Sequence, residues 1–195
     1  MVERLTRLEN IDLNAVDDTG DTPITNAAEQ GQVQMVHELL HAGVDVNSCN
    51  DEGETALIVA VYGEKIGVVE RLLRYDGLDI NAHDDQDNTA LPHAALHDDV
   101  GIPVRLLSRE QILINRPYND AGTTPLMGAT WETFDGCFEE LIKDKRALPN
   151  QQDVHGRSAA HHLMMQSEIM SRKVARLVTE ARRGRVHPEL RDEYG

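Results

Sequence analysis

The sequence predicts an all-α solenoid, a stack of short helix–turn–helix units joined by turn-rich fingers, and three observations predict it. Hydroxyl residues at 22, 55, 89, 124 and 158 recur at spacings of 33, 34, 35 and 34. Asparagines at 14, 47, 81, 115 and 150 keep step at 33, 34, 34 and 35. Between the two markers lie apolar residues at helical spacing, such as Val36 with Leu39-Leu40 and Val69 with Leu72-Leu73. A unit of this size cannot bury its own apolar face, whereas stacked copies can.

Each unit has the same internal order. The opening Thr or Ser reads as a helix N-cap, its hydroxyl accepting a free backbone N–H of the first turn. Pro23 and Pro125 then stand at the first helical position, where no N–H is missed. The first helix carries small residues, Ala27-Ala28, Ala60, Ala94-Ala95 and Ala129, which allow close approach of neighbouring helices. The second helix carries the bulky pairs, which continue as Leu106-Leu107 and Leu141-Ile142. Gly43 and Gly77 read as C-terminal caps, and Gly20, Gly53, Gly122 and Gly156 as turns in fingers near 15–21, 48–54, 82–88, 116–123 and 151–157. Pro92 falls in a first turn, while Pro103 should kink the second helix of the third unit or delay its start.

The run Thr22-Pro23-Ile24, Ala27-Ala28, Gly31, Leu39-Leu40, Gly43 and Asp45-Val46-Asn47 resembles the ankyrin repeat, and the resemblance extends over roughly residues 3–180. It implies about ten paired helices, with a half-repeat at 1–14, repeats starting near 18, 51, 85, 120 and 154, and a C-terminal tail at 181–195. It also implies a protein-binding role through a concave groove and its fingers. The family's usual His after Thr-Pro-Leu is replaced here by Thr25, Ile58, Pro92 and Met127, and survives as His161. The fifth repeat carries a residue or two extra before Leu177-Val178.

Composition narrows the function. The 195 residues hold 34 acidic and 19 basic side chains, a net charge of -15 that repels nucleic acid and anionic membrane surfaces. No apolar run approaches the ~20 residues needed to span a bilayer. The N-terminal ten residues lack a signal-peptide apolar core, and two cysteines, Cys49 and Cys137, fit a reducing compartment. The expectation is a cytoplasmic monomer without cofactor or metal, with nuclear targeting as the minor reading of Arg182-Arg183-Gly184-Arg185. Charge is uneven: residues 1–171 carry -18 and residues 172–195 carry +3, which complements a terminal helix dipole.

Three motifs suggest chemistry without supporting it. His37-Glu38-Leu39-Leu40-His41 matches the zinc-hydrolase pattern H-E-x-x-H, but its leucines occupy a core slot, which puts both histidines on the solvent side, and no third ligand follows at a known spacing. His93 and His97, beside Asp98 and Asp99, could clasp a metal, although His93 sits where the repeat packs inward. His161-His162 point different ways as successive helical residues. Neither cysteine has a nucleophile's His partner, so a catalytic role is not expected.

Two features point to binding. Fingers one to three carry Asp17, Asp18, Asp21, Asp51, Glu52, Glu54, Asp84, Asp85 and Asp87 with no Lys or Arg among them. Equivalent positions at the ends of the first helices hold Tyr62, Leu96, Trp131 and Met165, including the only Trp. Aromatic rows of this kind mark partner sites, or else cover the neighbouring helix. The expected function is a non-catalytic adaptor or scaffold for a protein with a basic surface. The alternative is an inhibitor or immunity-type protein capping a basic enzyme or nucleic-acid-binding surface, and the remote one is a zinc hydrolase.

Overall fold

A computed structural model describes residues 12–97, 100–131 and 136–165, with Lys173, Ala175, Arg176, Thr179 and Glu180. These residues form nine helices and no strand, with two isolated antiparallel bridges at the finger bases, Cys49 with Thr55 and His83 with Thr89. The chain divides into two compact units, Met1–Ala90 and Leu91–Gly195.

The first unit holds α1 (Pro23–Glu29), α2 (Val33–Ala42), α3 (Ala56–Tyr62) and α4 (Ile66–Leu73). Inner helix α1 packs on inner helix α3, and outer helix α2 on outer helix α4. The small residues Ala27, Ala28 and Ala60 lie buried with Ile24, Leu57 and Ile58, while Val36, Leu39, Leu40, Val68, Val69 and Leu72 fill the outer layer. At ~1.5–3 kcal/mol per fully buried aliphatic side chain, this stacking supplies the stability that an isolated helix of seven to ten residues lacks.

The second unit holds α6 (Gly101–Leu107), α7 (Pro125–Gly128), α8 (Gly136–Lys143) and α9 (Ala159–Met164), after α5 (Ala90–Ala94) at its start. Here α8 packs on α6 and α7, and α7 on α9, around Leu106, Met127, Phe138, Leu141, Ile142 and Leu163. Of the tenth expected helix, Lys173, Ala175, Arg176, Thr179 and Glu180 are helical; the expectations for residues 3–9, Leu177-Val178 and 181–195 lie outside the described residues.

The caps follow the hydroxyl series. Thr22, Thr55 and Thr124 sit in extended backbone and accept the N–H groups of Thr25, Ile58 and Met127 at 3.3, 3.4 and 3.3 Å. The Asn series has a physical role as well. Asn14 Oδ1 accepts the Asp45 N–H at 3.1 Å, Asn47 Oδ1 the Asp79 N–H at 2.8 Å, and Asn115 Oδ1 the Leu148 N–H at 2.8 Å. Each of these asparagines fastens its loop to the loop one repeat onward.

Gly43 caps α2 in the left-handed region at φ 86°, its N–H directed to Leu39 and Leu40 carbonyls. Gly77 does not cap α4, contrary to expectation. The helix ends at Leu73 with Arg74 at its cap, and Gly77 serves the turn beyond it at φ 93°, because one added residue separates helix from loop. Pro103 lies in the first turn of α6, where its missing N–H has no helical partner, so the helix starts late and is not kinked.

Candidate functional site

The fingers are built on one repeated turn. Asp17, Asn50, Asp84, Asn119 and Asp153 occupy its first position; Asn119 Oδ1 accepts the Thr123 N–H at 3.0 Å, and a side-chain oxygen of each of the other four accepts two backbone N–H groups further round the turn. Asp17 Oδ1 takes Thr19 and Asp21 at 2.9 and 3.0 Å, and Asn50 Oδ1 takes Glu52 and Glu54 at 3.1 and 2.9 Å. Asp84 Oδ1 takes Gln86 and Asn88 at 2.9 and 2.8 Å, and Asp153 Oδ1 takes His155 and Arg157 at 2.9 Å each.

This geometry corrects the reading of Asp84 as a rim charge. Its residue is buried at 6% exposure and its carboxylate also receives the Asn88 amide, so it holds the finger together. Asp17 remains exposed while making its turn, and hydrogen bonds from the Thr19 hydroxyl and from Thr19 and Asp21 N–H hold its carboxyl below the usual range. The acids left facing solvent are Asp18, Asp51, Glu52, Asp85 and Asp87, with Asp21 and Glu54 half-buried.

Tyr62 stands 61% exposed at the end of α3 in the first unit. In the second unit Leu96, Trp131 and Met165 follow α5, α7 and α9 and are 47%, 56% and 65% exposed. Burial against a neighbouring helix therefore does not account for these four side chains. Met164 adds a further exposed apolar group beside Met165.

Trp131 is anchored despite its exposure. Its indole N–H donates to His162 Nδ1 at 2.9 Å, and His162 Nε2 lies 2.9 Å from Asp153 Oδ2, which also accepts Arg157 Nε at 2.9 Å. Sequence reasoning missed His162. Its signal lay in Asp153 and His162 standing nine apart, but nothing in the sequence says that His162 of one inner helix meets Trp131 at the end of the preceding one. Burial pushes His162 below the ordinary imidazole range and outweighs the raising effect of Asp153. Burial alone would raise Asp153, yet the N–H groups of Arg157 and His155, with His162 and the Arg157 side chain, hold it low.

The remaining candidates are placed as follows. His37 is half-buried and its Nδ1 meets Arg71 Nη2, while His41 is exposed, the two rings 4.3 Å apart edge to face. The Glu between them accepts the Gln34 amide at 2.8 Å. His93 and His97 are half-buried, and Asp98 and Asp99 lie outside the described residues. Among the described residues no group of three His, Cys, Asp or Glu is placed to hold a metal ion. Cys49 is exposed; Cys137 is buried and its thiol is pushed up to about 12 by that burial, with Glu140 adding to the rise, which suppresses the thiolate needed for nucleophilic chemistry. Lys173, from the basic C-terminal stretch, is 1% exposed; its ammonium donates to the Ala129 carbonyl at 2.9 Å and lies 5.6 Å from the Phe138 ring centre. No helix among the described residues is long and apolar enough to cross a membrane.

A family model described as ankyrin repeats, in three copies, matches residues 1–84. No curated protein matches the chain. Ankyrin repeats generally mediate protein–protein interaction and are typically non-catalytic. Residues 1–84 are thus ankyrin repeats, and the described residues after them continue the all-α pattern of helical pairs on the same finger turns.

Proposed function

We propose that this chain is a non-catalytic interaction module, an adaptor or scaffold that binds a protein with a basic surface. The carrying observation is Trp131, the sole Trp, exposed by more than half, with Leu96 and Met165 exposed at equivalent repeat positions of the same unit and Tyr62 at the equivalent position in the first unit. A chain gains nothing in its own stability from exposing such side chains, whereas large side chains that lose water on association supply most of an interface's affinity. The solvent-facing finger acids of the first unit, Asp17 included, supply the negative charge that steers a basic partner. The same net negative charge disfavours nucleic acid and self-association, so the module acts as a monomer in the cytoplasm.

The acid-only fingers favour one second reading, an inhibitor that covers a basic enzyme or nucleic-acid-binding surface. It stands behind the adaptor because Asp84 is committed to its own turn, which thins the presented stripe.

The test is cross-linked capture from native lysate with wild-type chain, Trp131→Ala, and an outer-helix control, Gln34→Ala, followed by binding kinetics on the protein recovered. Loss of capture with Trp131→Ala alone supports the reading. Equal capture by the wild type and Trp131→Ala, with loss in the outer-helix control, overturns the choice of face. Assay of the recovered protein's own activity separates inhibitor from adaptor.

A further inference from the structure

The bond between Trp131 and His162 has a protonation state built into it. An indole N–H only donates, so His162 Nδ1, 2.9 Å away, presents its lone pair. The proton of the neutral ring then sits on Nε2, facing Asp153 Oδ2 at 2.9 Å. Both supports are enclosed: the side chains of His162 and Asp153 are 2% and 0% exposed. Trp131 reaches solvent on its other side, its ring 5.6 Å from the imidazole and tilted by 36°.

We propose that His162 is a proton-operated latch on Trp131, the neutral ring holding the indole and the imidazolium releasing it. A proton from solvent adds to Nδ1 and consumes the lone pair that the indole N–H uses. Two N–H groups then face each other, and the hydrogen bond is lost. The Nε2–H bond to Asp153 becomes an ion pair, so the imidazolium stays in place and the exposed indole moves.

The charged and titratable groups around the ring decide when this happens. The finger contributes the Asp153 carboxylate, which favours the imidazolium, and the Arg157 guanidinium, which opposes it. His161 on the same helix also opposes it. Burial dominates and favours the neutral ring, so the latch is closed at neutral pH and opens on acidification below 6.5. The release depends on no partner; only its consequence, weaker binding in acid, rests on the interaction site proposed above.

Because Trp131 is the only Trp, the intrinsic fluorescence of the full chain reads the latch directly. Titration from about pH 8 to about pH 5 should give one emission transition with its midpoint below 6.5, at constant far-UV circular dichroism. His162→Asn, which keeps a carbonyl acceptor and cannot titrate, should abolish the transition, while His161→Gln should keep it. A flat wild-type titration, or a transition that survives in His162→Asn, overturns the proposal. If His162→Asn fails to fold, nitrogen-15 NMR of the wild type decides: a protonated Nδ1 at neutral pH overturns the latch, and an unprotonated Nδ1 whose shift moves with the Trp131 indole resonance supports it.

Discussion

Asp84 accepts the backbone N–H groups of Gln86 and Asn88, whereas its sequence neighbour Asp85 is exposed and bonds its finger through its backbone, donating to the Glu52 carbonyl at 3.0 Å. Replacing Asp84 by Ala strands turn donors and should cost ~1–2 kcal/mol, while Asp85→Ala should stay within ~0.5 kcal/mol, read by urea unfolding. The composition of the fingers was legible in the sequence, but the division of labour between adjacent acids was not, because it depends on which carboxylate turns back toward its own backbone. The pH dependence of stability belongs to this scale too. His162 is held neutral, so below 6.5 the unfolded chain takes up the proton first and stability falls as pH falls. Asp153 is held ionised, so a second loss begins below 3.8 and proceeds as pH drops through its lowered value. Urea midpoints should therefore decline on acidification in two windows, and in His162→Asn the upper one should disappear.

At the scale of the element, the helix starts show how a residue can change while its function stays. His161 returns its Nδ1 to the Ser158 N–H at 3.2 Å, Thr25 its hydroxyl to the Thr22 N–H at 2.8 Å, and Met127 its sulfur to the Thr124 N–H at 3.5 Å. Three chemically unlike side chains thus close the same reciprocal cap, and the sequence alone presented two of them, Thr25 and Met127, as departures from a pattern. Ile58 and Pro92 have no acceptor to return. Thr25→Val keeps the shape but leaves the buried Thr22 N–H unpaired, and should lower stability by ~1–3 kcal/mol, with Thr25→Ser restoring most of it in the same unfolding assay. The finger turns obey a comparable rule. Gly53 lies at φ 75°, and a Cβ there would come 2.8 Å from the Asp85 backbone nitrogen, so Gly53→Ala should cost more than ~2 kcal/mol. Asp87 takes the equivalent place at φ 69°, which aspartate tolerates, and Asp87→Gly should move stability by less than ~1 kcal/mol, since relieved strain and a freer unfolded chain offset each other.

For the whole molecule, the period of the Thr and Asn markers made the solenoid legible because both markers do periodic physical work, capping a helix and fastening one loop to the next. The Trp131 anchor was not legible, since it joins residues 31 positions apart through tertiary packing, and a repeat shows only what recurs. Charge acts over the same whole. At -15, the chain presents a field that accelerates encounter with a basic partner at low salt and fades as the Debye length shrinks to about 8 Å at physiological ionic strength. In the proposed interface, short-range contacts at Trp131 would act after encounter and set how long the complex lasts. Reversing the exposed Asp18, Asp51 and Asp85 to Lys moves the net charge from -15 to -9, each reversal adding two, and leaves the turn-forming Asp17 and Asp84 intact. On the partner recovered by capture, this triple variant should associate about tenfold more slowly at low salt, lose most of its salt dependence, and dissociate at the wild-type rate. Trp131→Ala should do the reverse, associating normally and dissociating roughly thirtyfold faster, the kinetic equivalent of a ~2 kcal/mol anchor. Stopped-flow association and surface dissociation traces at two salt concentrations separate the two effects, and a triple variant with unchanged association would remove the fingers from the encounter.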